Sequence, residues 1–306
     1  MKPYELLRHV LNRIEDEIVE ELDIEELAAS YSLSSVHLQR LFKFAFGLPL
    51  ASYIRSRRLS ASIESLFKTD FNVLDIANEY GFEYEQTYIR AFKREFGLTP
   101  GELRKTGRIV KVMPPLQLFD SNRLADGVFF GPQIVMVPRF CVVGRRHQIP
   151  YHKSVELPPK VAKDFWHNER GLIKNAVNPE VYFGFTRIPP GDTDYSYYLP
   201  SVQVKELKNI PYGFDGDEFP ASLCARFHYI GPHHYYDIDA DIAWGMYDAI
   251  AAFVNDKNMK YDSFHNKLYF ERIDTASYDG AYCQMEWFTP VFEKRINHDE
   301  KCSFFV

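Results

Sequence analysis

The sequence predicts a multidomain chain: an all-α double helix-turn-helix domain followed by an α+β domain of duplicated β-α-β-β units. Three observations carry this. A helical stretch ending Phe42-Lys43-Phe44-Ala45-Phe46-Gly47-Leu48 returns as Phe92-Lys93-Arg94-Glu95-Phe96-Gly97-Leu98, and an internal repeat constrains the architecture before any other argument. Near Ile134 the apolar period changes from about 3.6 residues to about 2, the switch from helix to strand. Beyond that point the order strand, helix, strand, strand occurs twice. The expected division is 1–107 for the helical domain, 108–133 for an ordered linker and 134–306 for the α+β domain.

In the helical domain, Leu6, Leu7, Val10, Leu11, Ile14, Ile18 and Val19 form one apolar stripe, so a first helix is expected over Pro3–Glu20. Asp23 is placed to cap a short second helix, with Glu26 in capping-box position. After the turn Tyr31-Ser32-Leu33, Ser34 caps a third helix that ends at Gly47. Its inward residues are Leu38, Leu41 and Phe42, and Val36, His37, Gln39, Arg40 and Lys43 are read as outward. A long helix over Pro49–Leu66 joins the copies and fixes their separation, which a flexible linker would not do. The second copy repeats the plan, with Asn72 as cap, a turn at Gly81 and a helix carrying Glu85, Gln86 and Arg90. The copies are offset by 49 residues at Ala28/Ala77 and by 50 at Phe42/Phe92, so the second turn is one residue longer.

In the linker, Pro114-Pro115 and Pro132 break regular structure, and the apolar residues between them suggest an ordered strap. The α+β domain reads as a strand over Val135–Arg145, a helix over Lys153–Asn168 and a hairpin of Val181–Ile188 and Tyr195–Lys205 around Gly191-Asp192. The order then repeats as a strand over Phe219–Ile230, a helix over Ile238–Val254, and strands over Asn266–Ile273 and Ala281–Phe288. Two such units merge into one antiparallel sheet with both helices on one face.

Composition narrows the function classes. The 306 residues are 46% apolar and 25% charged, as in a folded, soluble protein. The N-terminus is charged and periodic rather than a leader, and no apolar run is long enough to span a membrane, so a cytoplasmic location is expected. Four cysteines with no close pair indicate neither a disulfide framework nor a zinc site. His233-His234, His147 and His152 have no metal-ligand spacing and are read as surface loop; no metal or cofactor is expected. The net charge of −6 conceals a local asymmetry. Nine acidic residues lie between Glu5 and Glu26, whereas Leu27–Ile63 holds none and carries Arg40, Lys43, Arg55, Arg57 and Arg58. A local basic face is what phosphate contact requires.

Residues 1–107 resemble the DNA-binding domain of the AraC/XylS regulators. The match is carried by Ile76-Ala77, Gly81-Phe82, Phe92-Lys93-Arg94 and Phe96-Gly97-Leu98-Thr99-Pro100, and by Tyr53-Ile54-Arg55, Arg58-Leu59 and Ala61 between the copies. The resemblance implies base contacts from Val36, Gln39 and Arg40 in the first copy and from Glu85, Gln86 and Arg90 in the second. Arg and Gln there suit bidentate pairing with guanine and adenine in the major groove. Glu85 departs from relatives that carry Gln: a carboxylate there can accept from cytosine N4 but repels nearby phosphate. Lys43, Arg55, Arg57, Lys93 and Arg94 suit phosphate contact or surface charge rather than base reading. Two heads held about one DNA turn, or roughly 34 Å, apart would let a monomer bind an asymmetric duplex site of about 20 base pairs. RNA polymerase is the partner that the activator habit of the family implies.

Residues 134–295 resemble the GyrI-like effector-binding domain. The duplicated order carries the match, with Ala225-Arg226-Phe227-His228-Tyr229-Ile230-Gly231-Pro232 and Cys283-Gln284-Met285-Glu286-Trp287-Phe288-Thr289-Pro290-Val291. The order of the two domains resembles the Rob-type subset. A carboxylate in an apolar strand is paired, protonated or aimed at a ligand, and Glu286 is the candidate, with Arg226 or Arg272 as the alternative ion-pair partner. The resemblance implies Glu286 as anchor of a small cationic or aromatic effector, beside Trp287, Tyr182, Phe185, Tyr197, Phe227 and Tyr229. An aromatic box with a carboxylate suits an organic cation. Two alternatives stay open: a hydrolase using Glu286, or a domain that binds a protein partner. With a DNA-binding domain fused to it, no catalytic residue is assigned.

Overall fold

The computed structural model describes residues 2–20, 22–189, 191, 194–234, 237–238, 240–256, 259–261, 268–277 and 282–293. The chain divides into two compact units, 1–120 and 121–306.

The first unit is helical. Helix α1 (Pro3–Asp16) buries Leu6, Leu7, Val10, Leu11 and Ile14. It stops one turn earlier than its apolar stripe predicts, and Val19 is exposed. Beyond its end the guanidinium of Arg58 takes the carbonyls of Ile18 (3.0 Å) and Glu20. The expected caps form. Asp23 accepts from the amides of Glu25 and Glu26 at the start of α2 (Ile24–Ala29). Ser34 accepts from His37 at the start of α3 (Ser35–Phe46). Helix α4 (Leu50–Lys68) joins the copies. Asn72 caps α5 (Val73–Glu79), and α6 (Glu85–Phe96) ends at left-handed Gly97, as α3 ends at Gly47. Helix α7 (Pro100–Thr106) opens on a complete Thr99/Glu102 capping box.

The two turns share one hydrogen bond at the same place. The amide of Leu33 bonds the carbonyl of Ala28 (3.1 Å), and that of Phe82 bonds the carbonyl of Ala77 (2.9 Å). Each turn needs one residue at positive φ. Gly81 supplies it in the second copy (φ +71°), and at the same place in the first copy stands Ser32 (φ +59°). A side chain at Gly81 would also strike the Arg58 guanidinium.

The segment read as a linker is divided. Its first part lies on α4: Met113 donates to Ser60 Oγ (2.9 Å), Leu116 donates to Tyr53 Oη (3.0 Å), and Arg57 donates to the Met113 carbonyl (2.6 Å). Its last part is sheet.

The second unit holds strands β1 (Arg123–Leu124), β2 (Gly127–Val137), β3 (Phe140–Gly144), β4 (His147–Pro150), β5 (Val181–Arg187), β6 (Tyr195–Val204), β7 (Asp215–Phe219), β8 (Ser222–Gly231), β9 (Met259–Tyr261), β10 (Leu268–Asp274) and β11 (Cys283–Glu293). The sheet order is β1-β2-β8-β11-β10-β5-β6-β3-β7, with β4 on β6 and β9 on β11. The order about the central β10/β5 pair is symmetric, β8-β11-β10 against β3-β6-β5, which is the duplication seen in three dimensions.

The strand expected over Val135–Arg145 is broken in two, and the one expected over Phe219–Ile230 starts later, at Ser222, with a separate short strand ending at Phe219. Pro138 separates β2 from β3 and Pro220 separates β7 from β8, because proline has no amide to give a ladder. The breaks lie side by side: Val137 pairs with Ser222 and Phe140 with Phe219. The helix expected over 153–168 is shorter, α8 (Leu157–Asp164), and runs into a π-helical turn (Phe165–Glu169). The second helix is α9 (Ala240–Asp256). Trp166 from the π turn and Ile242, Met246 and Ile250 from α9 join one core with Tyr182, Tyr229, Met285 and Trp287, so both helices lie on one face. Phe183, Phe185, Phe219, Phe270 and Phe288 form a separate aromatic core on the other.

Among the described residues no helix is long and apolar enough to cross a membrane, and no cluster of His, Cys, Asp and Glu could hold a metal. His147 is not in a surface loop: it lies in β4, and burial lowers its pKa. The turn residue Asp192, the strand ends Asn266 and Ala281, and Cys302 lie outside the described residues.

Candidate nucleic-acid interface and ligand cavity

In the first unit, α3 turns Val36, Gln39, Arg40 and Lys43 to solvent, while Leu38, Leu41 and Phe42 are fully buried. His37 was expected to face outward but is buried, because it stands one turn before Leu41 on the packed face. Helix α6 turns out Gln86, Arg90, Lys93 and Arg94. Glu85 is half-buried in its first turn, where Tyr84 gives no side-chain cap and an acidic residue suits the helix dipole. That placement gives Glu85 a local structural role besides any base contact.

Arg55 of α4 meets Arg90 and Arg94 of α6 around one groove of about 300 Å³ floored by Phe82 and Ala91. Among the described residues no carboxylate lines it, so it carries concentrated positive charge. Arg57 does not join this surface. Its guanidinium holds both oxygens of Glu15 (2.7–3.2 Å), and Tyr53 donates to the same carboxylate (2.8 Å).

In the second unit, a cavity of about 100 Å³ lies between the central strands and the helices, against the ~10–15 Å³ that one water needs. Strand alternation selects its wall. Tyr182 and Thr186 of β5, Tyr198 of β6, Tyr269 and Glu271 of β10, and Trp287 of β11 point inward. The helices close it with Ala162, Trp166, Met246 and Tyr247. Trp287 stacks on Tyr269 (5.1 Å, 19°) and meets Tyr247 edge-on (5.2 Å, 77°), while the Tyr247 and Tyr269 hydroxyls share a hydrogen bond (2.7 Å).

The carboxylate in this box is Glu271. It accepts a hydrogen bond from Tyr198 (2.5 Å), whose hydroxyl is bonded in turn to that of Tyr182 (2.6 Å). Among the described residues it has no cationic partner. Burial pushes its pKa up to about 7, and the Tyr198 bond only partly offsets this. Room for the carboxylate comes from Gly184, its register partner on β5. A Cβ at 184 would overlap both the Glu271 carboxylate and the Tyr198 hydroxyl.

Glu286, expected as the anchor, is on the opposite face. It is one residue from Trp287, and alternation sends the two to different sides. There it pairs with Arg272 (2.7 Å) and Arg226 (3.5 Å), with His228 at 3.6 Å. Burial would raise its pKa, but the hydrogen bond from His228 and the charge of Arg272 outweigh burial and hold it below the usual carboxylate range. Of the other expected wall residues, Tyr182 and Trp287 line the cavity. Phe185 lies in the opposite aromatic core, stacked on Phe270 (5.3 Å). Tyr197 lies against Tyr195 and under Arg146. Phe227 stacks on Phe129 (5.4 Å). Tyr229 donates to His233 Nε2 (2.9 Å), whose Nδ1 hydrogen is held by the His234 carbonyl. All four are packing residues outside the cavity wall. Glu271 escaped the sequence reading because Phe270-Glu271-Arg272 looks like an ordinary exposed alternation; the signal present was Tyr269-Glu271-Ile273, a carboxylate between two apolar residues on one face.

Comparison with known proteins agrees with this anatomy. Residues 27–106 match the helix-turn-helix domain family, and residues 133–291 match the family of integron-associated effector binding proteins. The transcriptional regulator Rob of Salmonella typhimurium is 30% identical over 212 residues, 65% of this chain and 70% of that protein. The right origin-binding protein of Escherichia coli K12 is 38% identical over 192 residues, and the chain spans 63% of its length. The multiple antibiotic resistance protein MarA of E. coli K12 is 36% identical over 100 residues, 33% of this chain. An integron cassette protein from the mobile metagenome of Vibrio cholerae, 12% identical, aligns with 54% of this chain and 99% of its own at a TM-score of 0.39. The chain belongs to the AraC-type DNA-binding transcriptional regulators, in the Rob-type architecture that places an integron-associated, GyrI-like effector-binding domain after the helix-turn-helix domain.

Proposed function

We propose that this protein is a transcriptional regulator, an activator acting with RNA polymerase, whose binding to DNA responds to a small organic cation held in the cavity of the second unit. The observation that carries the reading is Glu271, a half-buried carboxylate facing the cavity with, among the described residues, no cation beside it in an otherwise aromatic box. A buried charge is retained only where something compensates it, and a ligand cation over Tyr269, Tyr247 and Trp287 would be held by ring faces as well as by charge. The hydrolase alternative loses support, since Glu286 is engaged by two arginines on the other face.

On the DNA side, Val36, Gln39 and Arg40 of α3 and Gln86 and Arg90 of α6 are the proposed base readers, with a lesser part for Glu85. Lys43, Arg55, Lys93 and Arg94 are the proposed phosphate contacts. The pairing of two heads in one unit supports binding as a monomer to an asymmetric site of about 20 base pairs, and a DNA-binding role suits a cytoplasmic protein.

The test is selection of bound sequences from a random duplex pool by the full-length protein, alongside Arg40→Ala and Arg90→Ala. A single asymmetric motif, with each substitution relaxing one half, is expected. Enrichment of one half-motif alone would overturn the two-headed reading, and no enrichment would overturn sequence-specific binding.

A further inference from the structure

The Glu271 side chain ends a chain of hydrogen bonds that runs along the cavity wall. Tyr198 spends its one hydroxyl hydrogen on Glu271, so the hydrogen between Tyr182 and Tyr198 must come from Tyr182. The result is a single chain of donors, Tyr182 to Tyr198 to Glu271, that ends on one carboxyl oxygen. An ionised carboxylate has about four acceptor sites; this chain satisfies one of them, and the residue's own backbone amide is a second donor. Burial of the carboxyl among the aromatic rings favours its protonated form. Gly184 lets β5 approach closely enough for the chain to close.

The other titratable groups facing this carboxyl leave it as the one group that titrates near neutrality. Tyr182 on β5, Tyr198 on β6, Tyr269 on β10 and Tyr247 on α9 are all pushed up by burial, so each stays neutral. On β11 the facing residues, Met285 and Trp287, do not titrate. Lys163 of α8 sits at the rim and is exposed.

Resting on the reading of this cavity as a ligand site, we propose that it is a proton-exchanging site, which admits a singly charged organic cation as the Glu271 carboxyl releases its proton, with Tyr198 and Gly184 as positioning residues for that carboxyl. The balance is simple. The neutral acid and the cation enter the exchange, the carboxylate–cation pair forms, and one proton passes to solvent. The site thereby separates ligands by charge rather than by shape: a neutral molecule of the same outline finds an acid that has no reason to ionise.

The test uses the full-length protein and two probes of equal shape, benzyltrimethylammonium and its neutral isostere neopentylbenzene. Neither probe titrates, so any pH dependence belongs to the protein. Binding is followed by calorimetry in two buffers of different ionisation enthalpy between about pH 5.5 and pH 8.5. The expected result is an affinity for the cation that rises about tenfold per pH unit below the Glu271 midpoint and is flat above it. Release of close to one proton should accompany binding below the midpoint and vanish above it. Glu271→Gln should abolish both the pH dependence and the preference for the cation. Tyr198→Phe, which keeps the ring and removes one hydrogen bond to the ionised form, should move the midpoint to higher pH; a role confined to packing would leave the midpoint in place. Equal binding of both probes at every pH, with no proton released, overturns the exchange and leaves the cavity as a ligand site. Binding of neither probe at any pH overturns the cavity reading, and the exchange with it.

Discussion

Gly184 and Glu271 are register partners on adjacent strands, and the carboxylate of one fills the space that a side chain on the other would take. A glycine in a central strand weakens it, since it adds backbone entropy to be lost and packs nothing. Here the vacancy is what lets Tyr198 reach the acid. Gly184→Ala should therefore do more than a methyl's worth of damage. The expected outcome is a loss of roughly 1–3 kcal/mol in urea unfolding, together with loss of cation binding. Wild-type affinity in the variant would show that the carboxylate does not depend on this space.

Glu271 sets a pH dependence of stability whose sign follows from its shift. Its pKa is raised from 4.5 in the unfolded chain to about 7 in the fold. Between those values the folded state keeps a proton that the unfolded state has lost, so stability is full below the lower value and falls as pH rises through the upper one. The shift corresponds to something on the order of 3 kcal/mol. Glu271→Gln should match the wild type in acid and exceed it above neutrality. Parallel stability curves for the two proteins across this range would contradict the assignment.

Glu286 should behave in the opposite way. Its carboxyl is held below its usual range, so its contribution to stability is present at neutral pH and fades in acid. Glu286→Gln leaves Arg226 and Arg272 facing each other without their shared anion. A loss of roughly 1–3 kcal/mol is expected, below the full cost of a broken buried pair because the arginines are partly exposed. Cation affinity should not change, since Glu286 is on the far face of the sheet. The pair of glutamine variants thus separates the two carboxylates: one gains stability and loses ligand, the other loses stability and keeps it.

Ser32 offers a stabilising substitution in the DNA-binding unit. It adopts the left-handed conformation that Gly81 adopts in the second turn. The cost to an L-residue there is about 1–2 kcal/mol, against about 0.5–1 for the extra freedom of glycine in the unfolded chain. Ser32→Gly should raise stability by roughly 0.5–1 kcal/mol without moving the capped start of α3, measurable as an upward shift in the melting temperature. A drop would mean that the side chain of Ser32 is doing something that its backbone does not reveal.

The sequence by itself determined the repeat, the caps at Asp23, Ser34 and Asn72, the exposed faces of α3 and α6 apart from His37, and the duplicated order of the second unit. These are local: a cap is a side chain and an amide a few residues apart, and a helix face follows from spacing. Tertiary structure decided which carboxylate meets the cavity. Glu271 and Glu286 both sit in apolar strands, and what distinguishes them is which side of the sheet each faces once β10 has paired with β5 and β11. That register gives Glu271 a glycine opposite and a tyrosine hydroxyl beyond it, while it gives Glu286 two arginines and a histidine. The same holds for Arg57, a surface cation by composition, which the packing of α1, α4 and the strap turned into the partner of Glu15. A side chain's charge state is set by neighbours from other strands and helices, and only the folded chain assembles them.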